Sequence, residues 1–409
     1  MTRIAPDAAT PLYVSVRRRR SVAALALASA AGAIAWACIA GPGSQDDGHD
    51  TLRLEILASA VDHVIAPTLQ DLDARAAALR DAAAAWSTAV ESGTDPTAER
   101  ESARAAWRAA MDALQRAEML QVGPAGSSAF VTGGADVRDE IYSWPTVDAC
   151  RVDEELTAEG WLAPSFFTDA LVNVRGLAAV ERLLFAEGDA NACGAEEPIN
   201  QDGSWSALGA AELERRRAAY AAAAAANVSE VAHALAVAWS PATAEFATWL
   251  TRPGEGGSPY ESPPEALDEL FGASMYVDST VKDRKLAATT AASVESLWAG
   301  RSKEHVLANL QGLQALIWAG ASAEEGTGFD DLLVALGEPA LAMELTAAID
   351  DAIEAVTAID GSFEQALAAD PAALAGAQAA VQVVTDLLKG PVATALRLRP
   401  PGEAAGDAD

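Results

Sequence analysis

Alanine-rich helical patterning constrains this chain more than any other feature. Ala221 to Ala226 is an unbroken alanine run, and alanine is the strongest helix former while offering a sheet little to pack. From Leu57, apolar positions fall at Val61, Val64, Ile65, Leu69, Leu72 and Leu79. That spacing of three and four residues predicts one long helix over about 52–90 with a single buried stripe. Leu341, Leu345, Ile349, Ile353 and Val356 repeat the pattern near the other end. With 51% hydrophobic residues but only 6% aromatic ones, such helices must pack by close approach, and an all-α protein is expected.

Breakers divide the pattern into elements. Asp95-Pro96 caps a second helix running to about Leu120, which makes an antiparallel hairpin with the first. Residues 123–134 are Gly/Ser-rich, 138–144 suit a short helix, and the stretch on to Pro164 is predicted to be mostly loop. Helical periodicity resumes over 166–185 and 207–239, with Ser240-Pro241 as a joint before Leu250. The clearest linker is Arg252 to Pro264, rich in Pro and Gly. Beyond it, 283–299, 302–320, 328–358 and 371–396 have helical patterning. Two tandem four-helix-bundle-like domains fit, at 51–252 and 265–397, with a linker at 253–264 and a disordered tail at 398–409. No fixed repeat of solenoid length is present.

The N-terminus has the plan of a secretory signal peptide over 1–37: Arg17 to Arg20, then an uncharged apolar run from Val22 to Ala37. That run is shorter than the roughly 20 residues a membrane-spanning helix needs, and no later segment reaches even that length without charge, so a multi-span membrane protein is excluded. Ala35-Trp36-Ala37 before Cys38 resembles a bacterial lipobox, in which Cys38 would be lipidated; simple cleavage after Ala37 is the alternative, and the arginine run suits twin-arginine export. Residues 38–50, with Asp46, Asp47 and Asp50, suit a solvated tether.

Charge excludes one class of partner. The chain carries 28 Lys plus Arg against 59 Asp plus Glu, a net −31. Loss of five Arg and Asp7 on cleavage leaves 23 against 58, or −35. Such a surface attracts cations and repels nucleic acid and anionic lipid. Two cysteines remain after export, Cys150 and Cys193; a disulfide is the natural inference in an oxidising compartment, and a two-thiolate metal site would lack nearby His or Cys to complete it.

Familiar hydrolase and nucleotide motifs are absent, and four His leave little for a multi-histidine site. Glu230 and His233 form one ExxH pair where a di-iron bundle needs two, and Asp62-His63 and Glu304-His305 are adjacent residues that point apart. More informative is Arg138-Asp139-Glu140-Ile141-Tyr142-Ser143-Trp144-Pro145, followed by Cys150-Arg151-Val152-Asp153. It suits either a functional loop or a lid in which Arg138 pairs with an acid. Arg175-Gly176 through Glu181 lies in an apolar helical stretch, where Gly176 costs about 1 kcal/mol unless something close requires it. By spacing alone Glu181 suits an arginine partner better than a metal.

Together these residues resemble the imelysin family, also called the insulin-cleaving membrane protease or iron-regulated protein A-like family. Its mark is GxHxxE in a GLHxIExLLF context, after an RIYSWP-like segment and a Cys-x-Val-Asp stretch. Here the motif region is Arg175-Gly176-Leu177-Ala178-Ala179-Val180-Glu181-Arg182-Leu183-Leu184-Phe185. The second half agrees through Ser293 to Ser296, Asn309 to Leu313 and Gly326 to Leu333, and the resemblance spans roughly 54–396. It implies a pair of four-helix bundles exported to the bacterial envelope, facing the periplasm, often lipid-anchored and associated with iron acquisition, with peptidase activity claimed for some members. It also implies a ligand-binding patch between the domains that gathers Arg138, Trp144, Asp153, Gly176 and Glu181 with Glu295 and Ser296.

The departure is Ala178, which stands where the family has its His. His and Glu at that spacing share a helix face and could hold a metal or exchange a proton; Ala can do neither. A metal site would rest on Glu181 and Asp153, oxygen ligands suited to iron in its harder forms or another divalent cation. The expectation is therefore a non-catalytic envelope protein binding a metal ion, haem or a partner protein, with a scaffold and an altered metallopeptidase as alternatives.

Overall fold

The computed structural model describes residues 48–240 and 245–399, and all regular elements among them are helical. The signal-peptide reading over 1–37, Cys38, most of the 38–50 tether and all but the first two residues of the tail lie outside the described residues.

The long first helix forms as its stripe predicts. It comprises α1 (Asp50–Ser59), a π turn (Ala60–Ile65) and α2 (Ala66–Ser92), ending where Gly93 takes a left-handed φ of 69°. α3 (Thr97–Ala117) returns beside α2, and the Asp95 carboxylate accepts the Thr97 N–H at its start, 3.1 Å. Short helices follow: α4 (Val137–Ile141), α5 (Ala149–Ala158), α6 (Phe166–Asp169), α7 (Gly176–Phe185) and α8 (Pro198–Gln201). The alanine-rich α9 (Gly209–Ala238) and then α10 (Glu245–Thr251) close this half. α2 packs on α3 and α9, and α7 packs on α9 and α3, a four-helix group. Ala218, Ala221, Ala224 and Ala225 of α9 are fully buried, which lets backbones approach closely around Trp86, Trp107 and Tyr220. α9 and the stretch Pro371–Leu396 are long and apolar enough to cross a bilayer, but both pack against neighbouring helices.

A non-helical stretch follows α10 and gives way to α11 (Pro263–Ala273) and a π-helical segment (Val277–Lys285). α12 (Ser302–Trp318), α13 (Phe329–Ala335), α14 (Pro339–Thr357), α15 (Phe363–Ala369) and α16 (Pro371–Leu387) follow, then a π turn (Leu388–Val392) and α17 (Ala393–Leu396). α14 pairs with α16 and α12, and the π segment Val277–Lys285 packs on α12 and α16. α1 packs on α10, α11 and α13, so the first helix starts among later elements before entering the α2–α3–α9 group. α3 lies along α12, and this contact is the seam between the α2–α3–α9 group and the later helices.

Three expectations change. The 166–185 stretch is not one helix, because the chain turns extended at Leu171 and Arg175, and α7 begins only at Gly176. Residues 149–158, expected in a loop, form α5, whose N-cap Asp148 accepts the Arg151 N–H. Most of 286–301 is irregular instead of helical, apart from a 3-10 turn at Ala291–Ser293. Two of its backbone N–H groups, those of Trp298 and Ala299, are spent on the site described next.

Candidate functional site

The seam is close because Gly312 faces α3 without a side chain: a Cβ there would lie 2.7 Å from the Arg116 carbonyl oxygen. This approach sets Gln115 and Glu118 of α3 against His305 and Asn309 of α12 and Lys285 of the π segment, all almost wholly buried. Lys285 Nζ donates to Gln115 Oε1, to Glu118 Oε2 at 2.8 Å and to Asn309 Oδ1 at 2.9 Å, and it pairs with Glu295 Oε1 at 3.0 Å. A buried ammonium needs that many acceptors to offset its lost hydration.

Arg138 of α4 completes the charge balance. It donates through Nε (2.9 Å) and Nη2 (2.6 Å) to Glu118 Oε1, through Nη1 to the Trp144 carbonyl (2.8 Å) and through Nη2 to the Tyr276 hydroxyl (3.0 Å). Burial works to raise the Glu118 carboxyl, but Lys285 and Arg138 outweigh it and hold the group below the usual carboxylate range. For Glu295, Lys285 and His305 outweigh burial in the same direction.

Glu181 is different. Its Oε1 accepts Ser296 Oγ–H at 2.8 Å and the backbone N–H groups of Ala299 at 2.9 Å and Trp298 at 3.1 Å, all from the irregular 286–301 stretch. No arginine among the described residues pairs with it, contrary to the expectation from spacing. Burial lifts its pKa to about 7, against those three donors and the nearby His305, which lower it. Beside it, several buried polar atoms make no hydrogen bond: both His305 ring nitrogens, Glu295 Oε2 and the Tyr142 hydroxyl. His305 Nδ1 does lie 3.3 Å from Glu295 Oε2, a charge contact if the ring is protonated. Burial, then Glu295 and Glu181, push the Tyr142 phenol well up, so it stays protonated.

The residues singled out from sequence thus fall into three positions. Arg138, Trp144 and Glu295 surround Lys285, whose ammonium lies 5.8 Å from the Trp144 ring centroid. Glu181 and Ser296 meet directly. Gly176 opens α7 with a φ of 75°, and a Cβ on it would lie 2.8 Å from the Ile141 carbonyl oxygen. Its need is a left-handed turn beside the Arg138 segment instead of a helix interior.

Asp153 shares no bonding partner with Glu181. It pairs with Arg182 (2.7 and 3.3 Å) and accepts the Ala192 N–H (2.7 Å), close to the Cys150–Cys193 disulfide. The Arg182 guanidinium lies over the Trp298 ring at 5.4 Å, so Asp153 steadies the loop that holds Glu181. Among the described residues, the one group of three or more His, Cys, Asp and Glu with ligand atoms mutually within 4.8 Å is Cys150, Glu154 and Cys193, and its sulfurs are spent in the disulfide. Metal–ligand bonds of about 2.0–2.2 Å need donors that close. The donors around Glu181 therefore do not form a divalent-metal centre as they stand, and Lys285 already holds the cation position between Glu118 and Glu295.

Sequence reasoning missed Gln115, Glu118, Lys285, His305 and Asn309, and set His305 aside as half of an adjacent pair. The signal was present: His305 and Asn309 are four apart on the same stripe as Leu313 and Leu316, polar residues on a face that must be buried. Glu230 and His233 make no such site; Glu230 is exposed and His233 pairs with Asp73 at the surface.

Comparison with known proteins places this fold in one class. The imelysin family model, peptidase M75, matches residues 65–390. The chain belongs to the imelysin family. Among solved structures it is similar to a proposed iron-regulated protein A precursor from Parabacteroides distasonis, with a TM-score of 0.65 and 19% identity over 85% of this chain and 95% of that one. It is also similar to an imelysin-like protein from Psychrobacter arcticum, with a TM-score of 0.64 and 16% identity over 86% of this chain and 97% of that one. No curated protein matches.

Proposed function

We propose that this protein is an exported, lipid-anchored binding protein of the bacterial envelope, without peptidase activity, that takes iron as cargo at the seam between its helical halves. One observation carries the reading: Glu181, Glu295, His305 and Tyr142 bring unpartnered or titratable polar atoms together in a fully buried place that both halves build. Buried polar atoms are rarely left unmatched, and a guest that supplies positive charge would satisfy them. The donors lie too far apart for a resident metal, so uptake requires the seam to tighten around the ion. Ala178 supports the non-catalytic reading, since no imidazole stands three residues before Glu181 to share its proton. The link to iron draws on the name of the Parabacteroides relative, and export and anchoring on the segment around Cys38.

Anaerobic equilibrium dialysis with iron(II) tests this. One ion per chain at neutral pH, lost in Glu181→Gln, with no cleavage of denatured casein, is the expected result. No retained iron, or iron retained equally by Glu181→Gln, would overturn it. The complete burial of Lys285 between Glu118 and Glu295 favours a second reading, in which the cluster only latches the halves. Under that reading iron is not retained.

A further inference from the structure

A cavity lies away from the seam, within the first helical group. It has a volume of about 290 Å³ and is lined by Trp86, Arg100, Leu213, Glu214 and Arg217 with the loop at Gly188 and Asp189. Two lining side chains have buried hydrogen-bond donors with no acceptor, the Trp86 indole Nε1 and Arg217 Nη2. Arg217 is 7% exposed and Trp86 wholly buried, so neither donor is solvated. Arg217 bonds to the Gly188 carbonyl through Nη1 at 2.8 Å and makes no ion pair among the described residues. Arg100 spends its Nε and Nη2 on the Leu184 and Ala186 carbonyls and lies over the Trp86 ring at 5.5 Å. Burial, with Arg182 and Arg100 nearby, lowers Arg217 to about 10, which leaves it charged at neutral pH.

A buried guanidinium that feels Asp153 and Glu187 only at a distance and bonds to one carbonyl is an uncommon cost in a chain of net −31. We propose that this cavity binds a small monocarboxylate with an apolar body, its carboxylate held by Arg217 Nη2 and the Trp86 indole N–H. Leu213, Ala210 and the Trp86 ring supply the apolar wall. Asp189 and Glu214, which make no ion pair among the described residues, repel a dianion such as phosphate and favour a single charge. The cavity volume suits a ligand smaller than a typical drug.

The test is isothermal titration of the full-length protein with phenylacetate, with its neutral isostere phenylacetamide alongside. Saturable binding of phenylacetate at one site is expected, with phenylacetamide at least about tenfold weaker. Arg217→Gln should weaken phenylacetate by about tenfold or more. Trp86→Phe, which keeps the ring and removes the donor, should weaken it by about threefold to tenfold. Circular dichroism checks that both variants fold. No saturation up to about 10 mM, equal affinity for the amide, or full affinity in a folded Arg217→Gln would each overturn the assignment.

Discussion

Glu118 and Glu295 each face cations, whereas Glu181 has three hydrogen-bond donors and, among the described residues, no ion pair. That difference decides which buried acid titrates. The folded state holds the Glu181 proton to about pH 7, while the unfolded chain releases it near 4.5. A raised acid stabilises the fold fully below the lower value and loses that contribution as pH rises through the higher one, a loss on the order of 3 kcal/mol. Urea midpoints at pH 5 and pH 8 should therefore separate more in the native protein than in Glu181→Gln; equal separations would contradict the assignment. Gly176 is the other decisive residue. Gly176→Ala adds a Cβ 2.8 Å from the Ile141 carbonyl at a φ of 75°. It should lower stability by about 1–3 kcal/mol in a denaturant titration, and an unchanged midpoint would show that the turn can relax.

At the scale of elements, the α3–α12 contact assembles the site. Gly312 leaves no room there for a side chain, so Gly312→Val should drive the helices apart, costing about 2 kcal/mol or more, and should disturb Glu118 and Asn309 together. Chemical-shift changes confined to α12 would contradict a shared seam. The helices themselves were legible in the sequence wherever a stripe was long, as in α2, α3, α12 and α14, because burial of one face dictates the period. The 286–301 stretch was not legible. Its composition suits a helix, but the N–H groups of Trp298 and Ala299 are drawn off to the Glu181 carboxylate, a partner more than a hundred residues away. The site was half legible for the same reason. Arg138, Trp144, Glu181, Glu295 and Ser296 stood out through the family motif, whereas Lys285 and His305 acquire meaning only when α12 meets α3.

For the whole molecule, the disulfide and the seam divide the work. Cys150–Cys193 joins residues 43 apart in sequence and fixes α5 beside the loop at Ala192, where Asp153 accepts from Arg182 and from the Ala192 N–H. Replacing both cysteines by serine should cost about 2–4 kcal/mol of stability while leaving the seam cluster assembled. Loss of iron retention in that variant at a temperature where it is folded would show that the disulfide holds the site as well. The central claim is that iron lands where Glu181 gives up a proton. The most direct measurement is the number of protons released per iron(II) bound, read by anaerobic calorimetry in buffers of different ionisation enthalpy. With Glu181 near 7, about 0.9 proton should leave at pH 6 and about 0.1 at pH 8. Binding with the same proton count at both pH values, or a count unchanged in Glu181→Gln, would contradict the account.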